Sequence, residues 1–202
     1  MERSSKSMIC FLGQMTSEVM THWYSADLHL DHERIIPLCR RPFRSGGEMN
    51  SMILQNFWER VRPEDDLWVI GDFAFCEDAD RLRDLFGQLP GARRHLVIGN
   101  HDGPTTQALP WDSVSHMTEV EDPYADHPVT LCHYPLMTWN GARKGAIHLF
   151  GHVHLGAIGW QNALNVGVDM CDFRPITIRE AASRARELPQ HMHWSEVEHN
   201  GT

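Results

Sequence analysis

The sequence predicts an α/β fold, on two observations. Short apolar runs of strand length alternate with helical patterns, and the runs repeatedly end in residues of metal-binding type, usually after a Gly. At about 150 residues per domain, the 202 residues make a single domain, and 42% apolar with 22% charged residues fits a cored chain rather than a disordered or fibrous one.

Residues 1–20 show neither helical nor strand periodicity, and Met15 and Met20 could each serve as a start, so this stretch is expected to be a disordered or over-annotated leader. The domain then runs over 21–188, with a loose tail over 189–202 that carries His191, His193 and His199. His22-Trp23-Tyr24-Ser25-Ala26 is the first strand-like run, and residues 33–39 read as a helical stretch. Met49, Met52, Ile53 and Phe57 fall on one helical stripe, as do Leu82, Leu85, Phe86 and Leu89 ahead of the Pro90-Gly91 stop. Leu67-Trp68-Val69-Ile70 runs into Gly71-Asp72, and His95-Leu96-Val97-Ile98 into Gly99-Asn100-His101. Val129-Thr130-Leu131-Cys132 runs into His133, and Ala146 to Phe150 into Gly151-His152-Val153-His154. Thr177-Ile178-Arg179-Glu180 has the form of a capping box and opens the last helix, which Pro189 ends.

A formal charge of -9 excludes a broad polyanion-binding surface, so extended nucleic-acid binding is not expected. Five cysteines, an odd number without CxxC spacing, suggest neither a disulfide framework nor a zinc ribbon and point to a reducing, cytoplasmic compartment. No run approaches the ~20 apolar residues of a membrane span.

Ligands of open α/β sheets collect at the carboxyl ends of strands. On an extended backbone, residues i and i+2 point to one side, so Asp27-x-His29 and His152-x-His154 are each expected to aim two ligands at one place. With Asp72, Asn100 and His133 these make seven donors, more than one tetrahedral ion uses. The economical reading is two divalent ions sharing a carboxylate, Asp72, and a water-derived hydroxide, an arrangement suited to in-line attack at phosphorus. The donor types suit Mn, Fe, Zn, Co or Ni, with Mn favoured.

Asp27-x-His29, Gly71-Asp72, Gly99-Asn100-His101-Asp102, His133 and Gly151-His152-x-His154 together resemble, in order, the calcineurin-like metallophosphoesterase superfamily. The resemblance covers residues 22–180, and Ser25 to His29 with Cys39-Arg40-Arg41-Pro42-Phe43 further resembles a compact bacterial and phage subgroup. It implies a four-layer αββα sandwich of two mixed sheets flanked by helices. It implies that Asp27, His29, Asp72 and His154 hold one ion, and that Asp72, Asn100, His133 and His152 hold the other. It places His101 beside the phosphate as the group that protonates the leaving oxygen, oriented by Asp102, and Arg41 on a substrate phosphate.

Blander readings stand beside these. Arg41 also fits a helix C-terminal charge, and His32 either lines the same pocket or faces solvent. His95 and His148, inside strand runs, read as core or sheet-surface residues, and Cys132 as apolar filler. Tyr134, Trp139 and Asn140 form a candidate aromatic wall, Trp139 fitting a packing role better. The absence of an insertion large enough to cap the site leaves it open to a small phosphoester or nucleotide, a cyclic phosphate or a nucleic-acid end. The expected activity is hydrolysis of a phosphodiester, the alternatives being a phosphomonoesterase, an inactive binding scaffold, and a dimetal hydrolase of amides or esters.

Overall fold

The computed structural model describes residues 20–191. The expected leader, apart from Met20, and the tail residues His193 and His199 lie outside the described residues. In chain order the elements are β1 (His22–Ser25), α1 (Ile35–Leu38), α2 (Gly46–Arg60), β2 (Asp66–Ile70), α3 (Ala79–Gly87), β3 (Arg93–Val97), α4 (Pro104–Gln107), β4 (Ser113–Ser115), β5 (Met117–Val120), β6 (Val129–Cys132), β7 (His148–Phe150), β8 (Gly159–Trp160), β9 (Ala163–Asn165), β10 (Ile176–Thr177) and α5 (Ile178–Arg186). Short 3-10 turns lie at Ala142–Lys144, His154–Gly156 and Val168–Met170.

The strands form two mixed sheets, flanked by helices. One has the order β10-β1-β2-β3-β4 and the other β5-β6-β7-β9-β8. β1 through β4 pair in parallel and β10 caps the edge antiparallel, while β6, β7 and β9 run parallel between antiparallel β5 and β8.

The pleat sorts side chains into layers. On one face of the first sheet Trp23, Leu67, Val69 and Leu96 pack against Met49, Ile53 and Phe57 of α2 and Leu82 of α3. On the other, Tyr24, Trp68, Ile70 and Val97 meet Val129, Leu131, Leu149 and Leu164 of the second sheet, with Ile178, Ala181 and Ala185 of α5. Phe150 and Ala163, on the far side of the second sheet, are covered by Trp139 and Ala142.

The helix ends follow local chemistry. Ser45 accepts the Glu48 N–H at the start of α2, and Asp78 accepts the Arg81 N–H at the start of α3. At α5 the expected capping box is complete, Glu180 N–H donating to Thr177 Oγ1 and Thr177 N–H to Glu180 Oε2. Met52 departs from the expected stripe of α2 and is 42% exposed, while Leu54 takes a buried position instead. Where the described residues end, Gln161 N–H donates to Pro189 O at 2.9 Å, and the His191 ring meets Trp160 edge-on. Cys39, Cys76, Cys132 and Cys171 are free thiols. Among the described residues no helix is long and apolar enough to cross a membrane.

The two sheets are stitched together where the site forms. Ala26 N–H donates to Val166 O and Val168 N–H to Ala26 O, a parallel bridge just beyond β1 and β9. The carboxyl ends of β1, β2, β3, β6, β7 and β9 thereby face one crevice.

Candidate metal centre

The ligand-bearing loops leave the strands through left-handed backbone. Asp27 (φ 56°), His29 (φ 50°), Asp72 (φ 56°), His152 (φ 71°) and His154 (φ 44°) all have positive φ. Each such residue costs of order 1–3 kcal/mol and persists only where the surroundings enforce it. This corrects the extended i, i+2 picture expected for Asp27-x-His29 and His152-x-His154. Their side chains converge because left-handed residues turn the chain past the strand end, not because a strand pleat aligns them. The close packing requires glycine nearby: a Cβ on Gly151 would stand 2.6 Å from both Ala26 Cβ and Asp27 Oδ2.

Three overlapping groups of donors result among the described residues: Asp27 with His29 and His154, Asp27 with Asp72 and His133, and Cys39 with His154 and Asp169. Asp72 Oδ2 lies 3.5 Å from His29 Nε2 and 3.5 Å from His133 Nε2, so one carboxylate oxygen faces a histidine of each expected ligand set. Asn100 Oδ1 is 3.2 Å from His133 Nε2 and 2.8 Å from His152 Nδ1. The tautomers are set from behind. His133 Nδ1 donates to the Ile70 carbonyl at 2.9 Å, and His154 Nδ1 to Asp169 Oδ2 at 2.7 Å, leaving each Nε2 as a lone pair.

The electrostatics suit a cation. Asp27 is fully buried, and burial pushes its carboxyl up to about 6, with the neighbouring His154 and His133 and the bond from the His152 backbone N–H acting the other way. Burial, with His154 and Arg41 close by, drives His29 down to about 2, so its imidazole stays neutral. His29 Nε2 is buried with no hydrogen-bond partner. An orphaned imidazole nitrogen beside two buried carboxylates fits divalent metal, which would satisfy the lone pair and offset the negative charge together.

No family model matches this chain. The chain is 25% identical over 163 residues to an uncharacterized protein of Methanocaldococcus jannaschii, covering 76% of this chain and 84% of that one. It is 28% identical over 160 residues to the Gene 66 protein of Mycobacterium phage D29, covering 65% and 77% respectively. The crystal structure of a protein of unknown function from Aquifex aeolicus shares the fold, with a TM-score of 0.65 and 25% identity over 82% of this chain and 99% of that one. Phosphopantetheinyl hydrolase of Mycobacterium tuberculosis matches at a TM-score of only 0.29 and 21% identity, over 62% of this chain and 48% of that one.

Two expected roles change. Arg41 is 4% exposed, and all five guanidinium N–H groups are engaged: with both Asp169 oxygens, the Leu28 and Asp27 carbonyls, and Met49 Sδ. No donor remains for a substrate phosphate; Arg41 instead braces the loop that presents Asp27. Asp102, expected to orient His101, spends its carboxylate on the main-chain N–H groups of Gly99, Asp72 and Phe73, clamping the ends of β2 and β3 together. His101 is held through its backbone, whose N–H donates to Asp72 Oδ1 at 2.9 Å, while its ring is exposed beside the donors, 5.3 Å from that of His29.

His32 sits in the site rather than in solvent, 9% exposed, with Nδ1 3.3 Å from His29 Nδ1. His148 is fully buried and bonded to Thr130 O and the Leu136 N–H, His95 stacks on Trp68, Cys132 is buried, and Trp139 Nε1 donates to Ala146 O. Sequence reasoning missed Asp169 and Asn165. Asp169 holds His154 and Arg41 at once, and Asn165 bonds the His154 and Ala157 carbonyls while accepting the Gly167 N–H. The signal was available: Ala163-Leu164-Asn165-Val166-Gly167-Val168-Asp169 repeats the apolar run, Gly and polar residue seen at the other strand ends.

Proposed function

We propose that this protein is a phosphoesterase with two divalent metal ions, acting on a phosphodiester in a small substrate such as a nucleotide or cyclic phosphate. The observation that carries the reading is the position of Asp72 Oδ2, equidistant from His29 Nε2 and His133 Nε2 at 3.5 Å. Asp27, His29, Asp72 and His154 would hold one ion, and Asp72, Asn100, His133 and His152 the other. Bound there, the ions supply Lewis-acid activation of water and neutralise charge on the phosphoryl oxygens, Mn²⁺ being the first candidate.

The chain's own residues do the rest. Arg41 and Asp169 fix the Asp27 loop and His154, and Asp102 fixes the loops that carry Asp72 and Asn100. The His101 ring, at the exposed edge of the donors, would give a proton to the leaving oxygen. His32 lines the cleft beside it. Arg34 is the one arginine or lysine lining that cleft among the described residues, so the walls suit a singly charged diester better than a doubly charged monoester.

The test is hydrolysis of a chromogenic phosphodiester beside the matching monoester, with Mn²⁺ and with chelator, against Asp72→Ala as the control for contamination. Chelator-sensitive diester cleavage that vanishes in the variant is the expected result. Preference for the monoester would move the assignment to phosphomonoesterase. Silence on both substrates in a protein that binds no metal would overturn the reading.

A further inference from the structure

A second cavity opens beside the metal centre, of about 630 Å³, within the range of small-molecule sites. It shares Asn100, His101 and Phe75 with the cleft over the donors, so the two spaces meet at His101.

Its chemistry is specific. Phe75 is 49% exposed, unusual for a ring of that size in a packed domain. His32 stacks on it at 4.0 Å between centroids and 12° between planes, and His101 meets it edge-on at 5.5 Å. The backbone beneath is pinned, Phe75 N–H donating to Leu30 O and Leu30 N–H to Phe73 O. A rigid aromatic ring thus presents area to the cavity. Besides the shared Asn100 and His101, the polar lining is Glu77, Thr105 and Thr106, with no arginine or lysine, so the cavity offers a carboxylate and hydroxyl acceptors for N–H groups and no fixed cation for a second phosphate.

We propose that Phe75 is the stacking platform for a nucleobase, and that the side cavity receives the nucleoside part of the substrate as its leaving group. This rests on the phosphoesterase reading of the adjacent donors and narrows its substrate to a nucleoside phosphodiester. In the step, the water oxygen forms the new bond to phosphorus and the bond from phosphorus to the nucleoside oxygen breaks. The electron pair stays on that oxygen, which takes a proton from His101, while the proton given up by the attacking water passes to solvent. Planar bases stack on Phe75 irrespective of sequence, while Glu77 favours bases that display N–H donors.

The experiment compares the methyl ester of adenosine 5′-monophosphate with the methyl ester of methyl ribofuranoside 5-phosphate, which has the same phosphorus chemistry and no base, and reads release of the 5′-hydroxyl product. Full-length protein loaded with Mn²⁺ is expected to prefer the nucleotide in kcat/KM. Phe75→Ala is expected to reduce that preference about 5- to 100-fold, the range of one base stack, and Phe75→Tyr to keep it. Hydrolysis of both esters with a preference unchanged in Phe75→Ala would overturn the platform while leaving the phosphoesterase reading intact. If neither ester is hydrolysed, equilibrium binding of free adenosine to metal-free protein, followed by ligand-observed NMR, decides. Binding weakened in Phe75→Ala supports the platform, and its absence in wild type overturns it.

Discussion

Asp169 Oδ2 accepts hydrogen bonds from His154 Nδ1 at 2.7 Å and from Arg41 Nη2 at 2.9 Å, so a single carboxylate oxygen ties a candidate metal ligand to a buried guanidinium. Burial alone would raise the Asp169 carboxyl, but the bonds from His154 and Arg41 hold it below the usual range. Asp169→Asn should therefore loosen the imidazole and strand the Arg41 charge. Metal affinity should fall about 10- to 100-fold, and stability by about 3–5 kcal/mol. Metal titration and urea unfolding read the two effects separately.

Asp72 and His101 should separate metal binding from proton transfer. Asp72→Ala removes the oxygen that faces both ligand sets, and both metal content and turnover should be lost. His101→Ala should keep its metal by elemental analysis and lose roughly 10²- to 10⁴-fold in turnover, the usual span of a general acid. Retained turnover in Asp72→Ala would sink the two-metal reading.

Gly151→Ala tests whether the tight turn is required. The added methyl would sit 2.6 Å from Ala26 Cβ and Asp27 Oδ2, and Ala26 cannot withdraw because its backbone bridges the two sheets. Destabilisation of about 1–3 kcal/mol is expected, with Asp27 displaced and metal affinity reduced. A variant with wild-type affinity would show that the loop can yield.

His148 makes stability depend on pH. Burial holds its imidazole down at about 4, against the ordinary 6.5 of a solvated histidine. Between those values the unfolded chain takes up a proton that the folded chain refuses. His148 therefore penalises folding as pH falls from about 6.5 toward 4, by about 3 kcal/mol in all, and contributes no slope above. Urea midpoints measured across that window should fall less steeply for His148→Gln than for wild type.

Thr177→Ala removes the Oγ1 acceptor of the capping box at α5, away from the metal centre. A loss of about 1 kcal/mol in stability is expected, with metal affinity unchanged.

The sequence made the central strands and the order of the candidate ligands legible, because an apolar run followed by a polar residue is a local pattern. The runs at residues 67–70, 95–98 and 129–132 all became strands, and the capping box at Thr177 formed as written. The edge strands β4, β8 and β10 were not legible. At two or three residues each they carry no periodicity and exist only because a neighbouring strand offers hydrogen-bond partners. The roles of Arg41 and Asp102 were misread for a related reason: a charged residue beside a motif looks the same whether its partner is a substrate or a buried backbone.

What the sequence determined by itself is therefore the α/β class, the succession of strands, and a set of Asp, Asn and His residues placed at their ends. Only the tertiary structure decided what those residues face. The left-handed turns at Asp27, His29, Asp72, His152 and His154 cost energy locally and are maintained by contacts from distant parts of the chain, Arg41 to Asp27 O, Asp102 to the Asp72 N–H, and Ala26 to Val166. No window of sequence contains those partners, and so none could show that Asp72 would come to stand between two histidines.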